Sequence, residues 1–203
     1  MMTSWFLRSS MNQKSIDEYS ARTMSFKLLS QCVSEVAIML ETERLILRPP
    51  KKADVPELFE FLGDPAAMQH THSDKTLREC RRRVLVHEWR RRRDGCAPWV
   101  VVRREDGRII GLGGLYEDPF DPGWDFEVGY YFRPEVWGRG YASELVRAAL
   151  GVSDHQLKLP EVWAMAHPDN GGSKRVLEKA GFVFARHLPD RNRLLFRRSR
   201  PFE

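Results

Sequence analysis

The chain has 203 residues, of which 42% are hydrophobic and 30% charged, and its formal net charge is +5. This length and apolar content suffice for one domain with a substantial core. No apolar run in the sequence approaches the roughly 20 residues that cross a bilayer, so we expect a soluble, cytoplasmic protein. The mild positive charge favours anionic ligands, but it does not by itself indicate a nucleic-acid-binding protein.

The three cysteines, Cys32, Cys80 and Cys96, are too few and too scattered for a disulfide framework. None belongs to a CxxC pair, which a zinc site would favour. We therefore expect reduced thiols and no metal.

Residues 1–38 differ from the rest of the chain. They are rich in Ser and Met, mix basic with acidic residues, and show no sustained hydrophobic periodicity. This composition predicts a disordered extension, or a start codon upstream of a working start at Met39. We accordingly place the folded domain at residues 39–203.

The first half of this domain begins with a predicted strand over 43–48, where Leu45 and Leu47 share one side. Asp54 followed by Glu57 fits a capping box for a helix that ends near Gly63. A second helix is predicted over 76–93, with eight arginines surrounding one apolar stripe formed by Leu77, Cys80, Val84, Leu85 and Trp89.

The second half alternates strands and helices. Strands over 97–103 and 108–116 form a predicted hairpin that turns at 105–107, and a further strand covers 124–132. Next come a helix over 142–150, a strand over 161–166, a helix from Asn170 that ends at Gly181, and strands over 182–185 and 193–197. This order predicts a mixed α/β or α+β single domain.

The junction between the strand at 124–132 and the helix at 142–150 carries Gly138 and Gly140. Glycines there let the backbone approach a ligand, and the helix start adds free N–H donors and positive dipole, which suits a pyrophosphate. Arg139 adds charge. No Gly-Lys-Ser/Thr follows, so a Walker loop is excluded. Gly111–Gly114 lacks a following helix and is predicted to be a glycine-rich strand edge instead of a dinucleotide turn.

Three stretches together resemble the GNAT N-acetyltransferase superfamily, especially the branch containing the RimJ and RimL ribosomal-protein N-terminal acetyltransferases. They are 41–49 (ETERLILRP), 127–144 (with EVGY and PEVWGRGYASE), and 170–182 (with NGGS and KAGF). The resemblance covers roughly residues 41–199 and keeps the order of the motifs. Trp137 stands where the superfamily usually has Gln or Arg, so we assign its side chain to packing.

The resemblance implies a three-layer GNAT-type fold. Its central mixed, mostly antiparallel sheet would splay at an acyl-CoA cleft, with helices on both faces. It also implies acetyl-CoA as co-substrate without a metal. The residues that would bind the cofactor are Val128, Gly129, Tyr130, Gly138, Arg139, Gly140, Tyr141, Ala142, Asn170 and Ser173.

Acyl transfer to an amine requires removal of a proton, stabilisation of an oxyanion and departure of a thiolate. Proximity supplies much of the rate, so direct attack needs no covalent intermediate. Glu127 is the candidate general base; the alternative is a carboxylate on a solvated strand face. Asn170 and Ser173 would act near the reaction centre, or serve only as helix caps. Leu177 occupies the position of the family's usual tyrosine acid, which leaves Ser173 or water as the proton donor.

The acceptor is expected to be a primary amine, either a protein N-terminus or a small molecule. His70 and His72 lie in the loop that would form the acceptor wall and are candidate substrate contacts. His167, beside the Asn170 motif, either tunes local charge or is incidental.

Two alternatives remain open at this point. The eight arginines between Thr76 and Gly95 could bind a phosphate backbone, which would indicate a nucleic-acid-binding or ribosome-associated module, or they could form a solvated face. A catalytically silent CoA sensor would have the same fold. The expected assembly is a monomer or a homodimer.

Overall fold

The structure is a computed structural model, and it describes residues 39–120 and 125–201. The predictions for residues 1–38, including Cys32, and for Trp124 lie outside this part. Cys80 and Cys96 are free, buried thiols. Within the described ranges no helix is long and apolar enough to span a membrane, and no cluster of three or more His, Cys, Asp or Glu is placed to hold a metal.

Eight strands form one sheet in the order β1-β2-β3-β4-β5-β6-β8-β7. Every neighbouring pair is antiparallel except β5 with β6, which is parallel. The strands are β1 Leu40–Glu41, β2 Leu45–Arg48, β3 Trp99–Arg103, β4 Ile109–Tyr116, β5 Glu127–Phe132, β6 Glu161–Ala166, β7 Val183–Leu188 and β8 Arg193–Ser199.

In the described part of the chain four α-helices pack against this sheet: α1 Val55–Leu62, α2 Leu77–Asp94, α3 Tyr141–Gly151 and α4 Gly171–Lys179. All four were predicted, as was the Asn170 cap of α4. A π-helical segment, Val152–Leu157, extends α3 and was not predicted.

The core has two layers because side chains alternate along each strand. On β3, Val100 and Val102 join the cluster formed with α1 and α2, whereas Trp99 and Val101 join the larger cluster formed with α3. Helices therefore cover both faces of the sheet. The three-layer fold expected from the sequence is confirmed.

The sheet splays between β5 and β6. The two strands pair at Glu127 with Trp163, and the Trp163 N–H donates to the Phe126 carbonyl at 3.0 Å. Beyond this pairing the strands diverge, which opens a cleft at their carboxyl ends. The expected splay is confirmed.

The predicted capping box at the start of α1 is wrong. A short 3-10 turn, Lys52–Asp54, precedes the helix. The Asp54 carboxylate accepts the Lys51 N–H at 2.6 Å and pairs with Arg48 at 2.7 Å. Glu57 instead accepts the Ile109 N–H on β4 at 3.2 Å. The acidic residues stabilise this corner through strand contacts that a local pattern does not reveal.

The predicted single apolar stripe of α2 is also wrong. Cys80, Val84 and His87 are buried, but Leu85 and Trp89 are 42% and 62% exposed. At 100° per residue the buried three lie within about 60° of one another, and the exposed pair lies on the opposite side. The predicted stripe therefore contained residues from two faces of α2, and only one of these faces packs against the domain.

The glycines at 111–114 lie inside the sheet and not at its edge, because β4 pairs with both β3 and β5. A Cβ on Gly113 would lie 2.6 Å from the Gly129 carbonyl oxygen, and one on Gly114 would lie 2.6 Å from the Trp99 ring. These glycines allow close packing in the middle of the sheet. They do not form a nucleotide-binding turn.

Candidate active site in the splayed sheet

A cleft of about 980 Å³ occupies the space between β5 and β6. One wall, the glycine-turn side, consists of residues 128–130, 136–143 and 169–179 where they line the cleft. The other, the loop side, consists of Ala67, residues 69–71, Tyr116, Asp118, Phe120, Glu127, Arg191 and Arg193. The two walls differ in how they are built.

On the glycine-turn side, Gly138 and Gly140 have φ values of 74° and 83°. This left-handed backbone favours glycine and turns the chain directly into α3, which begins at Tyr141. The first N–H groups of a helix have no intrahelical partner and carry the positive end of the helix dipole. The turn therefore supplies an anion-binding surface made mainly of backbone.

A hydrogen-bonded network fixes this turn to the start of the domain. Glu144, in α3, accepts from Thr42 Oγ1 at 2.6 Å and from the Arg44 N–H at 2.8 Å. The Arg44 guanidinium pairs with Glu144 at 2.7 Å and donates to the Arg139 carbonyl at 2.9 Å. Burial opposes ionisation, but the hydrogen bonds from Thr42 and Arg44 outweigh it and hold the pKa of Glu144 below its usual range.

Two residues of the turn differ from their predicted roles. Arg139 does not line the cleft, and its carbonyl, not its guanidinium, takes part in the network with Arg44. Trp137 is not core packing, because it is 46% exposed and lines the cleft. Its indole Nε1 donates to the Phe132 carbonyl at 2.9 Å, which fixes the ring at the end of β5.

Asn170 and Ser173 lie at the start of α4, and Ser173 contacts β5 across the cleft. Asn170 Oδ1 accepts the Ser173 N–H at 2.9 Å, so the capping interpretation of Asn170 is correct whatever else it does. Ser173 Oγ lies 2.9 Å from the Tyr130 hydroxyl. Burial raises the pKa of Tyr130 to about 12, with the Ser173 hydrogen bond opposing it, so the phenol is protonated at neutral pH. Leu177 is buried beneath them at 1% exposure.

Glu127 lies at the point where β5 and β6 separate. It is 6% exposed, and its Oε2 has no hydrogen-bond partner among the described residues. Burial raises its pKa to about 7; the nearby Asp118 carboxylate adds to this effect, and the Tyr116 hydroxyl opposes it. The alternative of a solvated strand face is therefore wrong for this side chain. A carboxyl group in this state exchanges a proton near neutral pH.

The histidines singled out from the sequence differ in whether they line the cleft. His70 lines the cleft and stacks on His167, with ring centroids 5.1 Å apart and an interplanar angle of 27°. His167 Nδ1 accepts the Asp169 N–H at 3.2 Å, and its Nε2 lies 2.9 Å from the Asn192 side-chain amide. His72 is exposed and does not line the cleft, so the structure does not join it to the predicted site.

The structure thus brings together all the predicted site residues except Arg139 and His72. It adds Tyr116, Asp118 and Phe120 on the loop side, and Thr42 and Arg44 behind the turn. The opening motif contains Thr42 and Arg44, but its spacing carries no information about Glu144, which is about 100 residues away. No local pattern marked Asp118.

Comparison with known proteins agrees with this geometry. A family model described as "Acetyltransferase (GNAT) domain" matches residues 44–183. The chain is 32% identical over 150 residues to the probable N-acetyltransferase YjcK of Bacillus subtilis (strain 168), covering 71% of this chain and 83% of the relative.

Two solved structures are similar as well. An acetyltransferase from Agrobacterium tumefaciens str. C58 gives a TM-score of 0.69 at 25% identity, covering 81% of this chain and 96% of the other. RimL, a ribosomal-protein acetyltransferase solved in complex with coenzyme A, gives a TM-score of 0.68 at 14% identity, covering 80% and 98%. The second similarity concerns the fold alone.

Proposed function

Since the chain belongs to the GNAT acetyltransferase family, we propose that it transfers an acetyl group from acetyl-CoA to a primary amine by direct attack in a ternary complex. The observation that carries this proposal is the buried Glu127 carboxyl at the splay point, between an anion-binding turn and an open wall of loops. The catalytic group and both binding surfaces share one cleft.

The glycine-turn side fits the pyrophosphate and pantetheine of acetyl-CoA. Gly138 and Gly140 expose backbone, and the first turn of α3, with Tyr141 and Ala142, supplies N–H donors toward the pyrophosphate. The diverging ends of β5 and β6 leave room for an extended arm beside Val128–Tyr130. Asn170 and Ser173 line the opposite edge of the same space. When bound there, acetyl-CoA supplies the activated acyl group.

Glu127 is the general base in this proposal. An aliphatic or N-terminal ammonium must lose a proton before it attacks a carbonyl carbon. With a pKa of about 7, Glu127 is substantially ionised at neutral pH and still basic enough to accept that proton, directly or through one water. Asp118 adds a second negative charge nearby, which attracts the cationic acceptor. Backbone N–H groups at Val128–Tyr130 stabilise the developing oxyanion.

Ser173 and Tyr130 form the proton donor to the departing thiolate. Leu177 has no proton to give, so the family's usual tyrosine acid is replaced. The Ser173 hydroxyl lies 2.9 Å from that of Tyr130, which remains protonated because of its burial. Ser173 donates a proton to the thiolate and takes one from Tyr130, and Tyr130 regains a proton from solvent in the open cleft before the next turnover.

The finer assignment is to the RimJ/RimL-like branch, with protein N-terminal amines as acceptors. The opening strand and the Asn170 motif support it, and so does the fold shared with RimL. The loop side is open, and it is lined by carboxylate, aromatic and basic side chains, which suits an extended peptide end. A small-molecule amine is the alternative acceptor.

The test is a turnover screen with acetyl-CoA over N-terminal peptides and small amines, with thiol release as readout. We expect release that depends on an amine and stops in Glu127→Gln. Intact-mass analysis of acid-quenched reactions should show no acetylated enzyme. Acetyl-CoA binding without release against any amine would favour a CoA sensor, and an acyl-enzyme that forms and decays during turnover would exclude direct attack.

A further inference from the structure

The side of α2 that faces away from the sheet forms a surface distinct from the cleft. Arg78, Arg81, Arg82, Leu85, Val86 and Trp89 line a shallow groove there, which we call the α2 outer face. None of these residues lines the active-site cleft. At 100° per residue Arg78, Arg82, Leu85 and Trp89 fall within about 60° of one another, so they form one stripe along the helix.

The eight arginines of α2 divide into two groups. Four are neutralised by carboxylates within the domain: Arg83 by Asp74, Arg90 by Asp94 and Glu117, Arg91 by Glu88, and Arg93 by Asp94 and Glu117. The others are Arg78, Arg81, Arg82 and Arg92, all exposed, and no carboxylate of residues 39–120 or 125–201 forms an ion pair with them. Three of these four belong to the α2 outer face.

Apolar side chains are exposed between these charges. Leu85 is 42% exposed and Trp89 is 62% exposed, one helical turn apart, and Val86 lies beside them. Arg78, Arg81 and Arg82 lie on the N-terminal side of this apolar centre, and Arg92 follows it. Isolated surface leucines need no explanation, but an aligned Leu–Trp pair between arginines that lack an ion-pair partner among the described residues indicates a binding surface.

We propose that the α2 outer face binds an acidic amphipathic segment of a partner protein. The apolar anchors of such a segment would pack on Leu85 and Trp89, and its carboxylates would pair with Arg78, Arg81 and Arg82. Single-stranded nucleic acid fits less well, because its bases stack on successive aromatic rings and this face has one ring beside two aliphatic side chains. The proposal concerns a separate surface and stands whether or not the assigned catalytic roles are correct.

The test uses fluorescence anisotropy with the full-length protein. The probes are labelled 20-residue peptides with Leu at i, i+4 or i, i+3, i+7 spacing and Glu at most other positions. Lys-substituted versions serve as charge controls, and a 20-nucleotide oligouridine serves as the nucleic-acid arm. We expect micromolar binding of at least one acidic peptide, a several-fold loss between 50 and 300 mM salt, and no binding of the Lys versions.

Variants localise the binding. Arg81→Glu with Arg82→Glu should weaken acidic-peptide binding at least tenfold, and Trp89→Ala should weaken it roughly tenfold. The matched control is Lys51→Glu with Lys52→Glu, an equal charge change at exposed residues outside α2, which should stay within about twofold. Equal unfolding midpoints would confirm that all variants fold.

Three outcomes overturn the proposal. The first is that none of the acidic peptides binds. The second is that both charge reversals weaken binding equally, which would show attraction to net charge alone. The third is that the oligouridine binds in preference to every acidic peptide, which would assign this face to nucleic acid.

Discussion

The two walls of the cleft are built by different means. The glycine-turn side depends on backbone: two glycines with positive φ, the start of α3, and a network that fixes them to β2. The loop side depends on side chains from segments far apart in sequence, with Asp118 and Phe120 after β4, Glu127 on β5, and His70 before α2. A site made of backbone groups tolerates substitutions because its N–H groups stay in place, so it suits a ligand that does not vary. A site made of side chains can change its ligand after few substitutions.

The largest expected effect is on the loop side. Glu127→Gln should lower kcat roughly 10²- to 10⁴-fold, because general-base catalysis contributes that much, with the acetyl-CoA affinity changed less than twofold. Steady-state kinetics and calorimetric CoA binding measure the two quantities. Glu117→Gln is the control and should retain activity, because Glu117 follows the end of β4 and pairs with Arg90 and Arg93 of α2. Equal losses of CoA affinity and kcat in Glu127→Gln would contradict the assignment of cofactor binding and catalysis to different sides of the cleft.

The pH dependence should report the same carboxyl group. Its folded-state pKa of about 7 lies above the usual carboxyl value, so the inactive protonated form accumulates as pH falls. Acceptor kcat/KM should therefore fall roughly 50-fold from pH 7 to pH 5, with a slope that approaches about tenfold per pH unit well below pH 7. We call this decrease at low pH the acid limb. Comparing the pH profiles of kcat/KM for wild type and Glu127→Gln separates the acid limb from ionisation of the acceptor amine. The acid limb should vanish in the variant, and its persistence would assign it to another group.

On the glycine-turn side, Gly140→Ala should weaken CoA binding about tenfold. Its φ of 83° is strained for alanine, and the added Cβ would lie 3.4 Å from Arg44 Nη2. Gly151→Ala is the matched control, since Gly151 has φ −59° and nothing within 4 Å of a Cβ. The control should leave binding unchanged and slightly raise the unfolding midpoint. Calorimetric titration with CoA measures the affinity of each variant. Similar affinities of Gly140→Ala and Gly151→Ala would contradict a role of the turn geometry in CoA binding.

Arg44→Met should have a smaller effect on the same wall. It keeps the aliphatic stem and the backbone N–H bond to Glu144 but removes the guanidinium bonds to Glu144 and to the Arg139 carbonyl, so we expect the KM for acetyl-CoA to rise about three- to tenfold. The acceptor KM should not change. Arg44 is 41% exposed, which limits the effect, and Arg108→Met, at 49% exposure and paired with Glu135, is the control. A change confined to the acceptor KM would show that Arg44 supports the loop side and not the glycine-turn side.

The smallest expected effect comes from Asp118→Asn. Asp118 raises the pKa of Glu127, so its neutralisation should move the acid limb of kcat/KM to lower pH, by a fraction of a pH unit, while burial still keeps the pKa above the usual value. The pH profile of the variant measures the displacement. A limb that moves to higher pH would show that the two carboxyl groups do not repel each other.

The predictions that the structure confirms concern features with local determinants. The two glycines before a helix, the Asn170 cap and the hairpin turn at Gly107 each depend on a few neighbouring residues, and the structure has all three. The predictions that the structure contradicts concern residues whose partners are distant in sequence. Asp54 and Glu57 matched a capping pattern, but contacts with Arg48 and Ile109 placed them otherwise. Periodicity also predicted a single apolar face for α2, because it does not show which side of the helix meets the sheet.

The sequence by itself determined the order of the elements, the membership of the family and the glycine turn, because backbone conformation and short motifs are written in adjacent residues. Only the tertiary structure decided the state of Glu127 and the grouping of Tyr130 with Ser173. It also decided the attachment of the turn through Arg44 and which arginines of α2 lack carboxylate partners in the described chain. The physical reason is that burial and charge pairing depend on side chains that are distant in sequence and are brought together only by the folded sheet and its helices.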